Sequence, residues 1–287
     1  MKTIRDYFQF VNQNFENRLT KSDVYELLEQ TLKRSYADIV LNMDDKLKAE
    51  EIQKLDDAIS LLKTDYPLAY ITKRQYFYKN YFYVNSDVLI PRTETELMVE
   101  NSFNFIQENY LDKDLVCYDI CTGSGVVGLS LKNLDNQIDL YLSDISSKAL
   151  LVAKENSVLL HEDNVKFIQG DFLNPFLKDQ KIPRANLITI NPPYIDINDP
   201  FVEESVRKYE PHLALFADDN GLIFYEKVAK NYEKLVNLKE KWMIMMEFGW
   251  KQKEQIEAIF KQNIKENIKI DFIKDNSNNW RFVKIHN

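Results

Sequence analysis

Glycine is scarce in this chain. There are six in 287 residues, so each is expected where the backbone needs a conformation or an approach that a side chain would block. Histidine is scarcer: His161, His212 and His286 are scattered at none of the spacings that hold a metal. The two cysteines, Cys117 and Cys121, sit close together with no second pair, which excludes a disulfide framework and a structural zinc site. No apolar stretch approaches the length that spans a bilayer, and Met1-Lys2-Thr3-Ile4-Arg5 leads into an amphipathic pattern rather than a secretory signal. A cytoplasmic protein with neither a membrane segment nor a metal site is expected. Basic residues are in deficit, 37 Lys and Arg against 45 Asp and Glu for a net charge of −8. That balance argues against broad, sequence-independent adhesion to nucleic acid.

What is present is ordinary for a globular chain, 45% hydrophobic and 29% charged residues, with length for one large or two modest domains. Residues 1–70 read as a small helical bundle. Ile4, Tyr7, Phe8, Val11 and Phe15 share one helical face, and Ser22 is placed to cap a helix carrying Val24, Leu27, Leu28 and Leu32. A third helix over residues 46–63 carries Ile52, Leu55, Ile59 and Leu62. No catalytic constellation falls in this bundle, and docking of a partner is its expected role. Residues 71–90 form a linker around an aromatic hairpin, Tyr76-Phe77-Tyr78 and Tyr81-Phe82-Tyr83-Val84, with Lys79-Asn80 as the two-residue turn. The segment from Val88 to Glu96 then leads into a helix that Thr93 or Thr95 can cap.

From Leu115 onward strands and helices alternate. Leu115–Ile120, Ile138–Ser143, Val165–Ile168, Leu187–Ile190 and Trp242–Met246 read as five buried strands. Residues 268–273 and 280–285 read as a closing antiparallel pair. The pattern predicts an α/β fold with a mostly parallel, doubly wound, seven-stranded sheet.

Polar residues cluster where these strands end, the edge at which open α/β sheets bind ligands. The first strand runs through Asp119 into Cys121-Thr122-Gly123-Ser124-Gly125, a glycine-containing turn at a helix start. Such a turn lets the backbone approach a ligand and presents free N–H groups to it, although a tight βα turn alone has the same look. Asp144 ends the second strand, roughly 20 to 25 residues on, where a carboxylate can accept ribose hydroxyls. Asp171 follows the third strand with Phe172 beside it: a carboxylate for an exocyclic amine and a ring for a purine. Each acid taken singly could instead cap a helix. The fourth strand ends in Asn191-Pro192-Pro193-Tyr194. Two locked backbone units and an aromatic ring suit a planar group bearing NH2, and the motif by itself fits an adenine amine as well as a carboxamide.

Asp119-Ile120-Cys121-Thr122-Gly123-Ser124-Gly125, Asp144-Ile145-Ser146 and Asn191-Pro192-Pro193-Tyr194 together resemble a class I S-adenosylmethionine-dependent methyltransferase. Pro67 to Thr72, Val88 to Glu96, Tyr209-Glu210-Pro211 and Asp219-Asn220-Gly221-Leu222 narrow the resemblance to the HemK/PrmC family, which methylates the Gly-Gly-Gln glutamine of class 1 peptide chain release factors at N5. The resemblance implies a methyltransferase domain over residues 91–287 with a Rossmann-like sheet. It implies that S-adenosylmethionine is held by Asp119 and the loop Cys121, Thr122, Gly123, Ser124 and Gly125 at its methionine end. Asp144 would hold the ribose, Asp171 and Phe172 the adenine, and Asn191 would lie within reach of the cofactor. Asn191, Pro192, Pro193 and Tyr194 would grip the substrate glutamine, with Asn191, Pro192 and Tyr194 catalytic. The implied partner is a release factor, with no direct nucleic acid and a monomeric enzyme. A ribosomal-protein glutamine methyltransferase would share these residues, and an adenine-N6 methyltransferase would share the Asn-Pro-Pro-Tyr turn. The chain departs from the family pattern at Cys121, Lys73, Lys79 and Asn278, where glycine is usual, at Thr93 in place of proline and at Phe172 in place of tryptophan.

Overall fold

The computed structural model describes residues 2–217 and 221–287 and divides into two compact units. The first comprises Met1–Arg74 together with Glu203–Tyr209. It contains α1 (Ile4–Asn14), α2 (Lys21–Leu32), α3 (Tyr36–Leu41), α4 (Ala49–Leu62) and α5 (Leu68–Thr72). Side chains just ahead of the helices set their starts. The Thr3 and Thr20 hydroxyls accept N–H bonds from Asp6 and Asp23, whose carboxylates reach back in reciprocal capping boxes. Thr20 therefore caps α2, and the expected cap Ser22 lies inside the helix. Ile4, Tyr7, Val11, Val24, Leu27, Leu28, Ile39, Leu55, Ile59 and Leu62 close a core of their own. The returning segment lies within the stretch expected to belong to the other domain. Its Tyr209 hydroxyl donates to the Thr64 carbonyl at 2.6 Å, and its ring meets Tyr66 edge-on.

The second unit opens with a hairpin of β1 (Arg74–Phe77) and β2 (Asn80–Tyr83). Its turn is Tyr78-Lys79, one residue earlier than expected. Both residues have positive φ, 41° and 71°, as the tight hairpin turn matched to strand twist requires. The Tyr78 N–H donates to the Glu96 carboxylate at 3.1 Å, which holds that residue out of the ladder.

After a short 3₁₀ turn at Thr93–Thr95 come α6 (Glu96–Asn109), β3 (Leu115–Ile120), α7 (Val126–Leu134), β4 (Ile138–Asp144), α8 (Ser147–Leu159), β5 (Lys166–Gln169), α9 (Asn174–Lys178) and β6 (Leu187–Ile190). Beyond them lie α10 (Glu204–Tyr209, the returning segment), α11 (His212–Leu215), α12 (Leu222–Leu235), β7 (Met243–Glu247), α13 (Lys253–Asn263), β8 (Lys269–Lys274) and β9 (Trp280–His286). The seven-stranded sheet has the order β5-β4-β3-β6-β7-β9-β8. Five strands are parallel, and β9 runs antiparallel to both β7 and β8.

Side-chain alternation gives the sheet two apolar faces, which is why its strands read as unbroken apolar runs. Tyr118, Ile120, Ile188, Ile190, Ile244 and Met246 bury on one side with α12 and α13. Leu115, Cys117, Leu140, Leu142, Leu187, Met243 and Met245 bury on the other with α6 and α7. Strand order reverses direction between β3 and β6, and this switch point opens a crevice at the carboxyl ends of the strands. Among the described residues no helix is long and apolar enough to cross a membrane.

Candidate active site

Register decides which strand ends meet. Ile120 pairs with Ser143 on one side and Ile190 on the other, and Ile190 pairs with Met246. One residue further on, Cys121, Asp144, Asn191 and Glu247 stand at the same level along the sheet edge. A cavity there is lined by Asp119, Cys121, Thr122, Gly123, Ser124, Asp144, Asp171, Phe172, Asn191 and Pro193. Three expected site residues are not part of its wall. Gly125 (φ 83°) starts α7 and faces inward, where a Cβ would press on Leu129 and Ala153. Pro192 is buried behind the turn. Tyr194 lies on a neighbouring hollow with Phe201, Trp250 and Arg281.

The loop after β3 is held from within. Both oxygens of buried Asp119 are engaged: Oδ2 accepts from the Thr122 hydroxyl at 2.6 Å and the Gly128 N–H at 3.2 Å, and Oδ1 from the Thr189 hydroxyl at 2.8 Å. Burial pushes the Asp119 carboxyl up to about 6, against these three donors. Gly128 lets α7 close onto the sheet, since a Cβ there would stand 2.4 Å from Leu142 Cδ2. Asn156 on α8 donates to the Ser124 carbonyl at 2.8 Å. Gly123 (φ 55°) has open space where a Cβ would stand, so its backbone faces the cavity bare.

Cys121 has φ 59°. The position usually held by glycine therefore does take up the left-handed conformation, which disfavours a residue with a Cβ by roughly 1–2 kcal/mol. Burial, together with the charges of Asp144, Asp119 and Asp171, pushes its thiol well above the usual range. It stays protonated and is no nucleophile. Phe172 is left-handed too, at φ 47°, and its buried ring meets Phe224 edge-on. At Lys73, Lys79 and Asn278 φ is 56°, 71° and 64°.

Asp144 ends β4 with Oδ2 accepting from the Gly123 N–H and Oδ1 from the Ser146 N–H, both at 2.9 Å. Burial pushes its carboxyl up, against the backbone N–H groups of Ser146, Gly123 and Ile145. Asp171 is exposed and accepts from Asn174 at 2.9 Å. Across the crevice, buried Glu210 accepts from the Ile90 N–H at 3.0 Å and the Arg92 guanidinium at 2.6 Å. It thereby fixes the Val88 to Arg92 segment as a wall of the same cavity.

Around Asn191-Pro192-Pro193-Tyr194 the structure adds residues that sequence reasoning missed. Buried Glu247 ends β7. Its Oε1 accepts from the Tyr194 hydroxyl at 2.9 Å and its Oε2 from the Thr95 hydroxyl at 2.7 Å. Asn191 Nδ2 lies 3.5 Å from Thr95 Oγ1. Gln252 donates to the Tyr194 carbonyl at 3.1 Å. Gly221 (φ 71°) packs against the turn, and a Cβ there would lie 2.6 Å from the Pro193 carbonyl oxygen. Its neighbours Asp219 and Asn220 are outside the described residues. Burial, then the charge of Glu247, pushes the Tyr194 phenol well up, so it remains neutral.

The donor set fits a nucleoside bearing a cationic amino-acid tail. Carboxylates of Asp144 and Asp171 stand at successive strand ends, Phe172 offers an apolar face, and the bare Gly123 backbone leaves room at the turn. Among the described residues no cluster of His, Cys, Asp and Glu is placed to hold a metal.

Sequence comparison agrees with this geometry. Residues 13–72 match the PrmC N-terminal domain, and residues 96–213 match the methyltransferase small domain. The chain is 42% identical to the release factor glutamine methyltransferase of Mycoplasma mycoides subsp. mycoides SC, over 96% of this chain and 95% of that one. It is 35% identical to the protein of the same name from Staphylococcus aureus, over 86% and 85% of the two chains. A solved protein-(glutamine-N5) methyltransferase (release factor-specific) from Alicyclobacillus acidocaldarius superposes with a TM-score of 0.46 at 18% identity, covering 71% of this chain and 98% of that one. With relatives of that name matched over 96% and 86% of its length, the chain belongs to the release factor glutamine methyltransferase family, S-adenosylmethionine-dependent enzymes.

Proposed function

We propose that this protein methylates the side-chain amide nitrogen, N5, of the glutamine in the Gly-Gly-Gln motif of class 1 peptide chain release factors. The observation that carries this reading is Asn191 at the rim of the cavity, in register with Cys121 and Asp144. When bound, S-adenosylmethionine supplies a methyl group already activated on a sulfonium. Asp144 would hold the ribose, Asp171 and Phe172 the adenine, and the Cys121 to Ser124 turn the methionine end. Gly125 and Asp119 support that turn from behind.

A carboxamide nitrogen is a weak nucleophile because its lone pair is delocalised into the carbonyl. The Asn191 side-chain oxygen would accept one of its N–H bonds, draw density onto nitrogen and aim it along the transfer line, while Pro192, buried behind the turn, stiffens it. Transfer would form the N–C bond at the expense of the donor's S–C bond, with one amide proton released to solvent. Tyr194 stays neutral and tied to Glu247. Its part is to shape the turn and exclude water rather than to take that proton. The N-terminal helical unit would dock the release factor, with the enzyme acting as a cytoplasmic monomer that needs no nucleic acid.

Mass spectrometry of purified release factor after incubation with enzyme and S-adenosylmethionine tests the reading. One added methyl on the Gly-Gly-Gln glutamine is expected. An unmodified release factor alongside a labelled ribosomal protein or DNA adenine would overturn it.

A further inference from the structure

The function above uses Asn191 as a hydrogen-bond acceptor, yet nothing in the side chain itself fixes that role. A carboxamide has nearly the same shape with O and N exchanged. Flipped, Asn191 would set an NH2 against the NH2 of the incoming glutamine. Something must hold its orientation.

We propose that Glu247, acting through Thr95, is the positioning group that holds the Asn191 side-chain oxygen toward the substrate. This rests on the reading of Asn191 as acceptor for the target amide. A carboxylate only accepts hydrogen bonds. The Thr95 hydroxyl therefore commits its single proton to Glu247 Oε2, at 2.7 Å between two buried side chains 152 positions apart in sequence. Toward Asn191, Thr95 then presents only lone pairs. The NH2 of Asn191 satisfies them, and its Nδ2 faces Thr95 Oγ1 at 3.5 Å. That bond is long, as contacts in catalytic sites often are before the substrate binds. Oδ1 is left for the substrate. The same carboxylate receives the Tyr194 hydroxyl on Oε1, so one buried group ties the first and last residues of the four-residue turn.

Burial pushes the Glu247 carboxyl up, against the hydroxyls of Thr95 and Tyr194 and the charge of Arg281; with both its oxygens accepting from hydroxyls, the polarity runs in one direction, through Thr95 to an amide whose oxygen faces outward. Thr95→Val removes the middle group at nearly constant shape, and Thr95→Ser restores it. Thr95→Val should lower kcat for release factor methylation by about 10–100-fold, the size of effect that a misplaced reacting group has. S-adenosylmethionine affinity by calorimetry should stay close to wild type, the melting temperature of Thr95→Val should fall by several degrees because buried Glu247 loses a donor, and Thr95→Ser should recover most of kcat.

A second measurement does not depend on activity. In the NMR spectrum of labelled protein, the Asn191 side-chain NH2 should show through-space contact with the Thr95 methyl and hydroxyl, and Glu247→Gln should weaken that contact. Absence of the contact in wild type, unchanged kcat in Thr95→Val, or a Thr95→Ser variant no better than Thr95→Val would each overturn the inference. A wild-type enzyme that shows the contact but leaves the release factor unmethylated would instead sink the functional reading and leave the positioning role standing.

Discussion

Replacing Gly221 by alanine should damage activity out of proportion to the one carbon it adds. Gly221 precedes α12 with φ 71°, and the new Cβ would stand 2.6 Å from the Pro193 carbonyl oxygen and 2.9 Å from Tyr194 Cα. Both atoms are backbone in a turn stiffened by two prolines, so no side chain can swing aside. Reaching an ordinary contact of about 3.4 Å requires the turn and the helix start to part by roughly 0.8 Å, because cores are packed too closely to absorb the carbon in place. The left-handed backbone adds roughly 1–2 kcal/mol against alanine, offset by about 0.4–1 kcal/mol from the stiffer unfolded chain. With a steric term of about 1–3 kcal/mol, a net loss of about 1–4.5 kcal/mol is expected. For a unit of this size that lowers the melting temperature by roughly 2–18 °C. The displaced turn carries Asn191, and a shift approaching 1 Å at a reacting group reduces turnover by about 100-fold. Methyl transfer at saturating S-adenosylmethionine should therefore fall about 10–100-fold at a temperature where the variant remains folded. Activity within twofold of wild type, with melting unchanged, would refute the packing described here.

Three further outcomes follow from the same geometry. At Cys121, where φ is 59°, Cys121→Gly should be more stable than Cys121→Ala by about 0.5–1 kcal/mol, the reverse of the usual order, because relief of the left-handed strain exceeds the entropy of the freer unfolded chain. Urea midpoints of the two variants decide it, and equal or inverted midpoints would remove the strain. Asp119 has a folded-state pKa of about 6 against an ordinary value of 3.8. The folded protein thus binds that proton more tightly, and this residue's contribution to stability falls as pH rises from about 4 to about 6. Asp119→Asn should flatten that part of the stability profile, and identical slopes for variant and wild type would contradict it. Asp144→Ala should weaken S-adenosylmethionine binding by about tenfold or more, since hydrogen bonds to a charged acceptor contribute roughly 1.5–3 kcal/mol. Calorimetry showing unchanged affinity would remove Asp144 from the site.

The sheet was readable because its strands are apolar runs that break abruptly into polar residues, and those breaks line the cavity. Asp119, Asp144, Asp171 and Asn191 announced themselves in this way. Glu247 did not: the fifth strand reads as ending at Met246, and only the pairing of Ile190 with Met246 brings the next residue level with Asn191. Thr95 reads as a helix cap in sequence, but its hydroxyl makes no cap bond and goes instead to a partner 152 positions away, and local pattern carries no information at that range. The left-handed state of Cys121 was likewise hidden, because residue type alone reports φ reliably only when it is glycine. The hairpin turn was misplaced by one residue for a tertiary reason, the capture of the Tyr78 N–H by Glu96. The short α10 buries none of its residues, so no apolar pattern marked it as part of the N-terminal unit.

That last feature bears on how the protein is made. The helices of the N-terminal unit leave the ribosome first, but the segment that supplies Tyr209 to Thr64 and Tyr66 is encoded roughly 130 residues later, about 6–26 s of synthesis at ordinary elongation rates. Through that interval the unit exists without its last helix. A nascent chain from which Arg74 has fully emerged, but in which Tyr209 has not yet been made, should be protected in α1 to α5 yet leave Tyr66 open to modification. Protection of Tyr66 should arrive only once Tyr209 has emerged.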